Sequence, residues 1–296
     1  MAKVFDGKKE AADVIRSGKA LHGIGASASG RKETLVRSLK LVAIRMTEDP
    51  AADIFISEKR KTAETLGIKL EELKILPKET TVLGTFERLN QDQTVDGYYV
   101  QLPVPRFKPE WWKAVDIRKD VEGLGADAME RLETGTELVI PPTPMAVLHT
   151  LGVALNTPPE KLELSGKNIV LISRSRLIGI PLLYLLTRQS ATVTVCDRET
   201  KDISEHTIKA DILITGTGKP GLITGEMVKP GVVAIDLGTK VVKENGKNKV
   251  IGDLDYASVS DKASFITPPV GGLGPLVVAY LLKNLVKLAT LQAQTR

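Results

Sequence analysis

The stretch Asn168-Ile169-Val170-Leu171-Ile172-Ser173-Arg174-Ser175-Arg176-Leu177-Ile178-Gly179-Ile180-Pro181 decides how the chain is read. The apolar run 168–172 predicts a strand buried on both faces, and apolar residues recur at helical spacing over 179–188. A strand that turns directly into a helix is half of a βαβ unit, and its turn aims backbone N–H groups at an anion. Working outward, residues 191–196, 211–215 and 231–236 read as further strands separated by Gly-rich turns, which predicts a doubly wound parallel sheet. Upstream, 39–46, 69–77 and 95–102 read as strands, the last ending in the turn Pro103, Val104, Pro105. Between them, 51–67 reads as a helix closed by its C-terminal glycine and 80–89 as a second helix. A helix over 144–153 is followed by a Pro-bearing joint over 156–166, after which the strand-helix alternation restarts. A long amphipathic helix over 275–291 is expected to pack back onto the first domain. The fold class is therefore α/β, with two α/β domains of which the second is Rossmann-like.

A length of 296 residues suits two domains, and 42% hydrophobic with 26% charged residues excludes a disordered or fibrous chain. Cys196 is the single cysteine, which excludes an intrachain disulfide and any multi-cysteine cluster. With His22, His149 and His206 as the only histidines, a zinc site is argued against, and no metal is expected. The net charge of +5 comes from basic residues scattered among acids with 4% aromatics, which argues against nucleic-acid binding. No apolar run approaches the about 20 residues of a membrane span and no apolar signal core opens the chain, so a cytoplasmic protein without membrane association is expected.

The loop after the strand at 168–172 keeps only Gly179 of the three glycines in a G-x-G-x-x-G fingerprint. Ser173, Arg174 and Ser175 nevertheless supply donors suited to a phosphate ester, so the loop reads either as a nucleotide site or as an ordinary polar turn. The next strand ends at Cys196-Asp197-Arg198, the position that reads an adenosine ribose. An acid there binds a free 2′-hydroxyl and an arginine accommodates a 2′-phosphate, and here both stand side by side. Thr215-Gly216-Thr217-Gly218 forms a second turn where glycine lets a ligand approach the main chain.

At this point the order of motifs resembles the methylenetetrahydrofolate dehydrogenase/methenyltetrahydrofolate cyclohydrolase family of one-carbon metabolism. The resemblance rests on Lys59-Arg60-Lys61-Thr62-Ala63-Glu64, Asp96-Gly97-Tyr98-Tyr99-Val100-Gln101-Leu102-Pro103 and Lys119-Asp120-Val121-Glu122-Gly123-Leu124. It continues through Pro142-Thr143-Pro144, Lys229-Pro230-Gly231-Val232, Ile266-Thr267-Pro268 and Gly271-Gly272-Leu273-Gly274-Pro275, and so covers nearly the whole chain. The resemblance implies a catalytic domain over 1–145 completed by a C-terminal helix over 276–296, an NAD(P)-binding domain over 146–275, folate in the cleft between them, and a homodimer. It implies oxidation of 5,10-methylenetetrahydrofolate by hydride transfer to NADP, with NAD as the alternative, and hydrolysis of the methenyl product to 10-formyltetrahydrofolate. A dehydrogenase without the hydrolytic step and a non-catalytic folate or nucleotide sensor are the rival readings.

By the same resemblance Lys59, Gln101 and Glu122 are the catalytic positions. Phe55, Val100, Leu102, Pro268, Gly271 and Gly272 are the substrate positions. Ser173, Arg174, Ser175, Asp197, Arg198, Thr215, Gly216, Thr217 and Gly238 are the cofactor positions. Phe55 stands where the family has a Tyr four residues before the lysine: the ring can still stack on a pterin, but the hydroxyl is gone. Glu122 replaces an Asp and reaches one methylene further. Ala52, Ser173, Met145, Asp197 and Val270 also replace the usual Ser, Gly, Lys, His and Pro, which marks a divergent member.

Overall fold

The protein is described from a computed structural model covering residues 2–23, 38–104, 108–244 and 247–295. Pro105, at the end of the expected turn, lies outside the described residues. The chain opens with β1 (Lys3–Val4), α1 (Gly7–Gly23), β2 (Lys40–Arg45), α2 (Pro50–Glu64) and β3 (Lys69–Lys74). It continues with α3 (Glu79–Gln91), β4 (Gly97–Gln101), α4 (Pro109–Lys113), α5 (Ala126–Thr134) and α6 (Pro142–Leu155). The second half runs β5 (Asn168–Ile172), α7 (Gly179–Arg188), β6 (Thr192–Cys196), α8 (Ser204–Thr207), β7 (Ile212–Thr215) and β8 (Val233–Asp236). The hairpin β9 (Lys240–Glu244) and β10 (Lys247–Ile251), α9 (Tyr256–Ser260), β11 (Phe265–Ile266) and α10 (Leu273–Gln294) complete it.

Two compact units result, one made of residues 11–142 and 278–296, the other of residues 1–10 and 143–277. In the first, β3-β2-β4 form a parallel sheet. Its core gathers Leu41 and Ala43 of β2, Ile56 and Ala63 of α2, and Leu281, Leu282, Leu285 and Val286 of α10. α10 is long and apolar enough by composition to cross a membrane, yet Leu281, Leu282, Leu285, Val286 and Leu288 of its apolar face are buried in this core. α2 ends as the sequence predicts: Gly67 adopts φ +69°, and Gly67 N and Ile68 N donate to Glu64 O and Ala63 O at 3.0 Å each, a Schellman closure.

In the other unit six parallel strands run in the order β1-β11-β8-β7-β5-β6. After β5 the chain adds β6 on one side and returns to place β7 on the other, so the switch point lies at the C-terminal ends of β5 and β7. This unit departs from the sequence reading at its start and at the expected joint. Residues 1–10 join this unit, because Lys3 and Val4 pair with Phe265 and Ile266. The joint expected over 156–166 lies inside the unit, where Thr157 N donates to Gly152 O at 2.8 Å and Leu164 N to Gln189 O at 2.9 Å.

Candidate active site

On α2 the buried residues Ile56, Lys59 and Ala63 fall at i, i+3 and i+7, so the lysine sits on the apolar stripe. It is 8% exposed, which sets aside a snorkelling surface lysine. Every residue of β4 is buried, and β4 ends at Gln101. Lys59 Nζ donates to Gln101 Oε1 at 3.1 Å, and Gln101 Nε2 donates to Leu102 O at 2.9 Å, which turns the amide oxygen toward the lysine.

The segment after α4 runs alongside β4. Tyr98 N donates to Lys119 O at 2.9 Å, and Tyr98 and Asp120 form a parallel bridge. The buried Asp120 carboxylate then accepts Gly123 N at 2.9 Å and Gly125 N at 2.7 Å, closing a turn in which Gly123 has φ +62°. From α10, Asn284 Nδ2 donates to Val121 O at 3.0 Å and Ile140 O at 2.8 Å. These bonds leave Glu122 Oε1 3.8 Å from Lys59 Nζ.

Burial dominates the electrostatics. It pushes the Lys59 ammonium below the usual lysine range, with Glu122 pulling the other way. Burial likewise raises the Glu122 carboxyl to about 7, against the attraction of Lys59. Asp120 is raised to about 6, burial outweighing its backbone hydrogen bonds. Val100, Leu102, Tyr99, Leu124 and Glu122 help line a cavity of about 20 Å³, room for a single water. Phe55, one turn before Lys59 on α2, is 46% exposed and so keeps an aromatic face available.

The cofactor positions gather at the switch point of the other unit. A side chain at Gly179 would lie 2.1 Å from Ser173 O, so this glycine permits the close strand–helix crossing that the third fingerprint glycine provides. Ile178 from the same loop covers Gly216: a Cβ there would sit 2.9 Å from Ile178 Cδ1. The two turns are thereby packed together. The second turn is clamped by Asp253, whose Oδ2 accepts Thr215 Oγ1 at 2.8 Å, Thr217 N at 2.5 Å and Thr217 Oγ1 at 3.0 Å. Gly238 leaves room for that carboxylate, since a Cβ there would meet Asp253 Oδ1 at 2.2 Å.

At the end of β6, Arg174 Nη1 donates to Asp197 Oδ2 at 2.9 Å, and Glu199 N to Asp197 Oδ1 at 2.9 Å. Arg198 instead pairs with its neighbour Glu199 at 3.0 Å, its side chain 84% exposed. Ser173 and Ser175 hydroxyls lie 3.2 Å apart, and Ile178 N donates to Ser175 Oγ at 3.1 Å. Pro268, Gly271 and Gly272 form a loop against the start of α1, with Gly7 N donating to Gly271 O at 3.0 Å. A Cβ on Gly272 would meet Pro268 O at 2.3 Å, so that loop is closed on itself.

The sequence reading thus names Lys59, Gln101 and Glu122, which the structure brings together. It did not single out Tyr99, whose ring centroid lies 3.9 Å from Lys59 Nζ, nor the buried carboxylates Asp120 and Asp253. Asp120 and Tyr99 stand inside quoted motifs, but only the fold shows what they touch.

Residues 5–122 match the family model described as tetrahydrofolate dehydrogenase/cyclohydrolase, catalytic domain, and residues 141–293 the one described as its NAD(P)-binding domain. The bifunctional protein FolD of an Exiguobacterium species is 35% identical over 294 residues, 98% of this chain and 99% of that protein. The crystal structure of the bifunctional enzyme FolD, a methylenetetrahydrofolate dehydrogenase/cyclohydrolase, from Campylobacter jejuni is 32% identical, with a TM-score of 0.84 over 99% of this chain and 100% of that one. The Trypanosoma brucei enzyme, solved with NADP cofactor and inhibitor, is 26% identical, with a TM-score of 0.86 over 99% of both chains. With both family models matched along most of its length, this chain belongs to the tetrahydrofolate dehydrogenase/cyclohydrolase family.

Proposed function

We propose that this protein oxidises 5,10-methylenetetrahydrofolate to the 5,10-methenyl form with NADP and hydrolyses that product to 10-formyltetrahydrofolate. The observation that carries the hydrolytic half is the buried Lys59–Gln101 hydrogen bond of 3.1 Å with Glu122 at 3.8 Å. The methenyl carbon is electrophilic and needs a water deprotonated as it attacks. Lys59, held below its ordinary range by burial, can take or hold that proton near neutral pH, and Gln101 fixes where its nitrogen points. Glu122 accepts from the pterin edge and shares the lysine's proton economy; Phe55 supplies the face on which a flat ring stacks. Val100 and Leu102 would give the apolar walls of the substrate position, where they help line the small cavity beside Glu122.

The residues of the switch point fit a dinucleotide phosphate: Gly179 lets the loop close on the helix, and Arg174 stands 73% exposed beside Asp197. When bound, NADP accepts the hydride from the methylene carbon. Arg174, Ser175 and Arg198 would hold its 2′-phosphate, Ser173, Thr215, Gly216 and Thr217 the backbone-facing parts, with Gly238 shaping the floor through Asp253. Pro268, Gly271 and Gly272 would contribute to folate binding. A cytoplasmic homodimer acting on a small folate, without nucleic-acid or membrane partners, completes the reading. It is supported by scattered charge and by an α10 whose apolar face is buried in the core.

The test follows methenyltetrahydrofolate absorbance with the wild type and Lys59→Ala. The wild type should form the methenyl compound with NADP and then clear it. Lys59→Ala, folded by circular dichroism, should lose hydrolysis by about 10²-fold or more. Wild-type-like clearance in that variant would remove Lys59 from the chemistry.

A further inference from the structure

Among the described residues, Gln101, Glu122 and Tyr99 stand near the Lys59 nitrogen, and the last of them presents an aromatic face. Gln101 Oε1 accepts at 3.1 Å, Glu122 Oε1 lies at 3.8 Å, and the third is the face of Tyr99, 3.9 Å from nitrogen to ring centroid. That distance is well inside the about 6 Å at which an aromatic face attracts a cation, and both groups are buried, where such attraction is least screened. Tyr99 is 2% exposed and belongs to the buried core that also holds Leu39, Leu41, Ile56 and Leu285, so its ring has little freedom to move away. Its hydroxyl is buried and, among the described residues, has no hydrogen-bond partner, and burial keeps it protonated, so it offers no route for a proton. The ring rather than the hydroxyl is therefore what Tyr99 presents to the site.

We propose that Tyr99 is a positioning residue for Lys59: its ring face holds the ammonium against Gln101 and Glu122, a support that Phe55, lacking a hydroxyl, does not give from α2. The proposal rests on the hydrolytic role of Lys59, but its test reads Lys59 directly and not through activity. By attracting the charged form, the ring opposes the burial that favours the neutral amine. Other charged groups around the pair are Asp120 beside Glu122, and Arg60 of α2 and Glu72 of β3, whose charges act on the Tyr99 hydroxyl and which pair with each other at 3.8 Å.

The experiment is NMR titration of the Lys59 Cε resonance in the intact protein labelled with 13C-lysine, assigned by its absence in Lys59→Arg. Tyr99→Phe should keep the wild-type midpoint. Incorporating mono-, di- and trifluorinated phenylalanine at position 99 keeps the shape while draining the ring face, and the midpoint should fall stepwise. Tyr99→Leu should lower it by about 0.4 to 1.5 on the pH scale. The same series in Glu122→Gln separates the ring from the carboxylate that titrates nearby. A midpoint that ignores fluorination overturns the proposal, as does a fall in Tyr99→Phe as large as that in Tyr99→Leu. If Lys59→Ala keeps hydrolysis while the fluorine series moves the midpoint, the hydrolytic role fails and the ring contact stands.

Discussion

Lys59 could be singled out in the sequence only through the motif around it, because helical periodicity by itself assigns position 59 to the apolar stripe and a lysine there looks like an exception. The structure turns the exception into chemistry: Gln101 and Glu122 converge on it, and burial holds Lys59 low and Glu122 up at about 7. A carboxyl with that value ionises in the range where the enzyme would work. The hydrolysis rate should therefore show an inflection near pH 7 that is absent in Glu122→Gln; an inflection that survives the substitution assigns it to another group. Phe55 lies one turn away and carries no proton. Phe55→Tyr should raise hydrolysis relative to dehydrogenation by up to about 10²-fold, since one placed proton-transfer group is worth that much or more and Lys59 covers part of the role. The ratio of the two activities measures it, and an unchanged ratio means that the hydroxyl has no work to do here.

Elements explain why the cofactor end is legible only in part. The strand, turn and helix over 168–188 could be read because β5 is buried on both faces and α7 starts at a glycine that a close crossing requires. What the turn's side chains do could not be read, because it depends on which strand lies beside β5. With β6 as that neighbour, Arg174 reaches Asp197 across the strand ends, while Arg198 turns to Glu199. The sequence places the opposing instructions at Asp197 and Arg198; the structure moves the argument to Arg174. A 2′-phosphate would take Arg174 from Asp197, so Arg174→Ala should lower kcat/KM with NADP by about 10- to 100-fold and leave NAD use nearly unchanged. Asp197→Ala, which frees that arginine, should favour NADP further. Equal losses with both cofactors in Arg174→Ala would place this arginine on a phosphate common to the two.

At the scale of the whole chain, edges and long-range partners are what composition hides. β1 is two residues long and exists because β11 pairs with it, and α10 carries a membrane-like apolar count that tertiary packing absorbs. Buried carboxyls are the same kind of feature, and they appear in both units: Asp120 in one, Asp236 and Asp253 in the other. Asp236 Oδ1 accepts Gly238 N at 2.8 Å and Asp253 N at 3.1 Å, and its Oδ2 accepts Leu254 N at 3.0 Å. Burial, aided by the charge of Asp253, still lifts it to about 6. An acid raised on folding binds its proton more tightly in the native state than in the unfolded chain, where it titrates near 4. Between about pH 4 and 6 the folded protein therefore holds more protons, and the stability contributed by protonated Asp236 is full below 4 and lost as the pH rises through 6. Asp236→Asn cannot titrate, and its amide meets Leu254 N with a second donor, so it carries a cost that does not vary with pH. The stability difference between wild type and Asp236→Asn should consequently be largest near pH 4 and shrink by about 1 to 3 kcal/mol by pH 7. Denaturant unfolding of both proteins across that range measures it; a difference that stays constant or grows with pH would mean that Asp236 is ionised throughout and that its three backbone donors outweigh burial.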